Sequence, residues 1–153
     1  ELFQLASHLG VPFTLHAGEA AGPESVWQAL ELGAQRIGHG VRAGEDPQLL
    51  EVLAQRRVTL ELCPTSNLQT KAVPDLAHFP VREYLRRGIA ATVNTDNMTV
   101  SHTTLEQEFQ RLQPLGLTKE ERRTLLENSV QGAFLNANEK KALAQALNQR
   151  LEA

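Results

Sequence analysis

The chain has 153 residues, 41% of them hydrophobic and 22% charged, with a net charge of −3. That length supports one domain with a real core, and the composition is that of an ordinary globular protein. The charge gives no electrostatic reason to expect nucleic acid or an anionic membrane as partner, and no apolar run approaches the ~20 residues of a membrane helix.

Residues 1–9 (ELFQLASHL) read as the end of an amphipathic helix, stopped by Gly10. The opening Glu1-Leu2-Phe3-Gln4 is not a Met start and reads as mid-helix, so the sequence is expected to be part of a longer protein. Val11 to Leu15 is a predicted buried strand ending at His16. Gly22-Pro23 opens a helix whose apolar face holds Val26, Trp27, Leu30 and Leu32, and Gly33 ends it. Arg36-Ile37-Gly38 leads into His39 and Gly40. Asp46-Pro47 is an N-cap followed by a proline at the first helical position, with Leu49, Leu50, Val52 and Leu53 as the core stripe.

Val58 to Leu62 is the third strand, running into Cys63-Pro64-Thr65-Ser66-Asn67, and a longer loop is predicted over 67–79. Pro80 starts a helix that Gly88 stops, and Ile89 to Val93 is a strand ending in Asn94-Thr95-Asp96-Asn97. Helices follow near Leu105–Leu112, after the capping box Thr118-Lys119-Glu120-Glu121, and from about Glu139 to Leu151.

Four strand–helix units in succession imply a parallel sheet with helices packed on it, and four are too few to close an eight-stranded barrel. Leu9-Gly10 precedes His16 by the same interval as Leu32-Gly33 precedes His39, a weak internal repeat. No interior domain boundary is visible. The one cysteine, Cys63, excludes an internal disulfide and fits a reducing, cytoplasmic setting.

Each strand ends in polar residues: His16 and Glu19, then His39, then Cys63 to Asn67, then Asn94, Asp96 and Asn97. In parallel α/β folds, sites gather at these carboxyl ends. Taken singly, each residue has two readings. His16 is a metal ligand or a hydrogen-bonded structural histidine. Glu19 is a general acid or a carboxylate favoured by a helix N-terminus. His39, between Gly38 and Gly40, is a base or a tight-turn residue. Asp96 is a ligand, or an Asx turn or N-cap. Cys63 reads as a small buried hydrophobe, and His8, His78 and His102 as surface or helix histidines without a partner pattern.

Taken together, His16-Ala17-Gly18-Glu19, Arg36-Ile37-Gly38-His39-Gly40, Leu62-Cys63-Pro64-Thr65-Ser66-Asn67 and Asn94-Thr95-Asp96-Asn97 fall in order on successive strands. This arrangement closely resembles the C-terminal half of the adenosine deaminase family of zinc aminohydrolases, over essentially the whole chain. The loop Gln69 to Val73 and the segment Thr99 to Thr104 share in the likeness.

The resemblance implies a (β/α)8 TIM barrel of the metal-dependent hydrolase type, with this chain as its last four units and 1–153 as one partial domain. It implies Zn²⁺ as cofactor, with His16 and Asp96 as ligands. Glu19 would protonate a purine at N1, and His39 would orient and deprotonate the attacking water. Asn97 would contact purine N7. The implied reaction is hydrolysis of adenosine or 2'-deoxyadenosine to inosine and ammonia, with adenine or another amino-purine nucleoside as the alternative substrate.

The chain departs from the family pattern in two places. The family commonly has Asp-Asp where this chain has Asp96-Asn97, and an asparagine amide donates at any pH. The family's His-x-His zinc pair has no counterpart, since no two histidines here lie two residues apart. Alone, the chain is therefore expected to be inactive and to hold zinc weakly. Its outer strands, near 12–16 and 89–94, would be open edges that pair with the missing half-barrel or with a second copy.

Overall fold

The structure is a computed structural model and describes residues 1–152. Its centre is a four-stranded sheet of β1 (Thr14–Ala17), β2 (Arg36–His39), β3 (Thr59–Leu62) and β4 (Ala90–Val93). The strands are all parallel and lie in chain order. Among the described residues β1 and β4 each have one neighbour, so the sheet has two open edges. No helix among them is long and apolar enough to cross a membrane.

The helices before and between the strands are α1 (Leu2–His8), α2 (Pro23–Glu31), α3 (Pro47–Arg56), α4 (Pro64–Gln69) and α5 (Val81–Arg86). After β4 come α6 (Met98–Ser101), α7 (Leu105–Arg111), α8 (Lys119–Gly132) and α9 (Ala137–Glu152). The local signals act as read. Pro23 and Pro47 stand in the first turns of their helices, where no N–H is lost. Asp46 caps α3 through Gln48 and Leu49 N–H, and Thr118 with Glu121 forms the reciprocal capping box of α8.

Several boundaries differ from the sequence reading. Strand β1 begins at Thr14, because Val11 N–H bonds back to Ala6 O and keeps that segment on the helix end. A helix started by Pro64 runs to Gln69 and takes up the first residues of the loop predicted over 67–79. The stretch read as loop to residue 79 holds a 3-10 turn at Leu76–His78, capped by Asp75. His78 does have a partner, the Asp75 carboxylate at 2.8 Å.

Side chains alternate across the strands and give the sheet two unlike faces. One register row is Leu15, Ile37, Leu60 and Ala91. This row packs under α2 and α3, where Val26, Leu30, Leu49, Leu50 and Leu53 are buried with it. The alternate row is His16, Gly38, Glu61 and Thr92. It faces the other way, toward a cleft at the carboxyl ends of the strands. Lower on that face Arg36 lies 2.9 Å from Glu61 Oε1 and stacks over Phe134 at 4.0 Å. The Arg36 Nε geometry is too bent to count as a hydrogen bond, so the contact acts as an ion pair.

Candidate active site

The two glycine-bearing loops after β1 and β2 are built into each other. Gly40 N–H donates to Ala17 O at 2.9 Å, and Arg42 N–H donates to Gly18 O at 2.9 Å. Gly18 has φ +66, and a Cβ there would lie 2.8 Å from Val26 Cγ2 and 3.1 Å from Gly40 Cα. Only glycine permits both the conformation and the approach. This crossing sets Glu19 beside His39.

His39 is the most enclosed of the candidate residues, at 2% exposure. By register it belongs to the row facing the helices, yet it lines the cleft. Its φ of +67 re-aims the side chain, a strained conformation for a residue with a Cβ. Its ring packs edge-on to that of His16, with centroids 4.9 Å apart. Its Nε2 lies 3.3 Å from Glu19 Oε2, and its Nδ1 lies 2.9 Å from Asn67 Nδ2. Burial lowers the His39 pKa, with His16 acting in the same direction, against the opposing pull of Glu19 and Asp96.

Asp96 sits after β4 in a left-handed conformation, φ 56, and accepts a hydrogen bond from Ser66 Oγ at 2.7 Å. His16 is exposed on the cleft face, where Gly38 leaves room for its ring. The cleft is about 560 Å³ and is lined by His16, Gly38, His39, Glu61, Asn94 and Asp96, among others. Asn97 stands at its margin, where its Oδ1 caps α6 by accepting from Val100 N–H at 3.0 Å. The N-cap seen as one option for Asp96 thus falls to Asn97, and only the Asn97 amide nitrogen remains as a donor toward a ligand.

An imidazole nitrogen and a carboxylate facing one cleft suit Zn²⁺. No cluster of three or more candidate ligands occurs among the described residues, and His16 and Asp96 by themselves are too few for a zinc site. Cys63 is buried and its thiol is pushed up by burial, reinforced by Asp96, Glu108, Glu61 and Glu19; it stays protonated, and Sγ contacts Glu61 O at 3.3 Å.

Helix α4 carries residues that the sequence reading grouped with the strand ends but gave no role. Its consecutive residues Thr65, Ser66 and Asn67 are all buried. Ser66 holds Asp96, and Asn67 holds His39 and reaches Glu19 Oε1 at 3.3 Å. Thr70 adds a hydroxyl to the same Glu19 oxygen at 3.1 Å. The fully buried Glu108 carboxylate of α7 anchors the start of α4, accepting from Thr65 N–H at 2.8 Å and from the Thr103 hydroxyl. The polar run Thr65-Ser66-Asn67 just after an N1 proline was the available signal, since polar residues there are placed on the first helical turn.

Comparison with known proteins follows the same lines. Residues 1–150 match the family model described as adenosine deaminase. An adenosine deaminase of Haemophilus ducreyi is 54% identical over 149 residues, covering 97% of this chain and 43% of its own length. The solved adenine deaminase of Arthrobacter aurescens superposes with a TM-score of 0.93 at 31% identity, over 99% of this chain and 47% of that one. An amidohydrolase of Burkholderia ambifaria, solved with bound Zn, shares the fold with a TM-score of 0.87 at 23% identity, over 98% of this chain and 43% of that one. The chain therefore spans a little under half the length of these relatives, and its four parallel strand–helix units are half of a (β/α)8 barrel. With its strand-end residues gathered at one cleft and the family match running over nearly its whole length, the chain belongs to the adenosine deaminase family.

Proposed function

We propose that this chain supplies half of the active site of a zinc-dependent enzyme that hydrolyses adenosine, and 2'-deoxyadenosine, to inosine and ammonia. The observation that carries the reading is the convergence of His16, Glu19, His39 and Asp96 at the carboxyl ends of three strands, in a chain 54% identical to an adenosine deaminase.

His16 and Asp96 would hold one Zn²⁺ together with ligands from outside this chain. A zinc ion held there would make a nucleophile available at neutral pH, by lowering the pKa of a coordinated water toward about 7. Glu19 delivers a proton to purine N1, so that the ring accepts electron density as C6 becomes tetrahedral. His39 orients the attacking water beside Glu19. The Asn97 amide donates to purine N7, a bond that an amide makes at any pH. The open edges of β1 and β4 pair with the strands that complete the barrel, and in their absence with a second copy. We place the enzyme in the cytoplasm, in keeping with the one free cysteine of this chain.

The test is turnover of adenosine by the full-length protein. Glu19→Gln and His39→Ala are each expected to lose about 10²-fold or more in kcat while remaining folded. Undiminished turnover in both would refute the assignment. The likeness to an adenine deaminase favours free adenine as the second reading, and the ratio of kcat/KM for adenosine and adenine decides between them.

A further inference from the structure

Asn67 has no exposed surface and its amide has one possible orientation. Its Oδ1 accepts the Cys63 backbone N–H at 3.2 Å. Turning the amide over would set its NH2 against that N–H, donor against donor in a buried place. Its Nδ2 is therefore the atom 2.9 Å from His39 Nδ1 and 3.3 Å from Glu19 Oε1. A donor facing Nδ1 requires Nδ1 to be the accepting nitrogen of the imidazole. The ring proton of neutral His39 is then on Nε2, which lies 3.3 Å from Glu19 Oε2.

We propose that Asn67 is a positioning residue of this site: it holds His39 with its proton on Nε2, so that the imidazole presents a donor toward Glu19 and the cleft. In this state His39 orients its neighbours as a hydrogen-bond donor. Taking a proton at Nε2 first requires the ring proton to move to Nδ1, which Asn67 opposes. Two further features support the arrangement. The positive φ of His39 turns its ring toward α4, and the Glu108 carboxylate, on Thr65 N–H, fixes the turn of α4 that carries Asn67. The kinetic consequence rests on the deaminase reading; the proton position does not.

The experiment is long-range 1H–15N correlation on the full-length protein labelled with 15N-histidine, which distinguishes a protonated from an accepting ring nitrogen. Wild-type His39 is expected to carry its proton on Nε2. Asn67→Asp conserves volume and the acceptor for Cys63 N–H but puts an oxygen against His39 Nδ1. It is expected to move the proton to Nδ1 and to lower kcat for adenosine about 10-fold or more, with KM changed less than about 3-fold.

A wild-type proton on Nδ1 overturns the proposal whatever the turnover. So does an Asn67→Asp variant whose proton does not move, or one whose proton moves without loss of kcat. Should that variant fail to fold, the wild-type spectrum decides by itself. A wild-type protein with the proton on Nε2 that deaminates no purine overturns the deaminase reading and leaves the proton position standing.

Discussion

Ser66 Oγ donates to Asp96 Oδ2 at 2.7 Å, tying the helix after β3 to the carboxylate after β4. Such a bond orients the carboxylate and leaves Oδ1 for the zinc proposed above. Outer partners of this kind typically contribute 10–100-fold in metal affinity. Ser66→Ala in the full-length protein is expected to weaken zinc binding within about that range, with little change in unfolding midpoint. Competition with a chelator of known affinity measures it, and equal affinity in the two proteins would exclude the role.

Tyr84, fully buried, holds the loop that follows His39. Its hydroxyl contacts Gly40 O and Val41 O at 3.0 Å each and accepts Gly44 N–H at 3.0 Å. Tyr84→Phe keeps the ring and leaves these backbone groups short of a partner, for an expected loss of about 1–3 kcal/mol. Urea unfolding of the full-length protein checks the size, and a fall in kcat alongside it would show that the loop's position matters to His39.

At Gly18 the expected outcome is larger. A methyl group there meets Val26 Cγ2 at 2.8 Å in a conformation that L-residues avoid. Gly18→Ala combines strain with overpacking, together about 2–5 kcal/mol. The crossing of the two loops should open, so activity should fall further than stability alone explains. A variant with native unfolding midpoint and native turnover would contradict the packing described here.

Glu108 is a buried carboxylate whose acceptor oxygens serve Thr65 N–H and the Thr103 hydroxyl. Glu108→Ala leaves a buried backbone N–H without a partner and adds a cavity, for an expected cost of about 3–5 kcal/mol. The readout is thermal unfolding, together with hydrogen exchange at α4, which should quicken at Thr65, Ser66 and Asn67 before the rest of the chain.

Asp46 gives a pH dependence with a defined sign. Its carboxylate is held below the usual range by the Trp27 indole N–H at 2.9 Å, and also by the Gln48 and Leu49 N–H groups it caps. Because the folded state holds the carboxylate ionised more firmly than the unfolded chain does, the unfolded chain takes up a proton first as pH falls. The stabilisation is complete above about pH 4 and is lost as pH drops through the folded value. Asp46→Asn should lower the unfolding midpoint at pH 7, and the gap from wild type should narrow below about pH 4. A gap that is constant across that range would show that the charge contributes nothing.

Much of this molecule is legible in one dimension. The order of strands and helices, Gly10 and Gly33 at helix ends, the proline and aspartate helix starts, and the capping box at Thr118 all follow from interactions within a few residues. The polar strand ends were legible for the same reason, since the apolar runs of β1 and β4 give way to His16 and to Asn94-Thr95-Asp96. The helix at Pro64–Gln69 was not. Its six residues are too few to show a period, and its stability comes from outside it, through Glu108 and the residues it holds.

What the sequence by itself determined is the parallel strand–helix order and the set of residues delivered to the carboxyl ends of the strands. What only the tertiary structure decided is how those residues act on each other. His39 and Asn67 meet across 28 positions, Ser66 and Asp96 across 30, and Glu19 and Thr70 across 51. The physical reason is range. Capping and turn chemistry are settled by neighbours along the chain. A buried amide's orientation and an imidazole's proton are settled by donors and acceptors that only folding brings within 3 Å or so of one another.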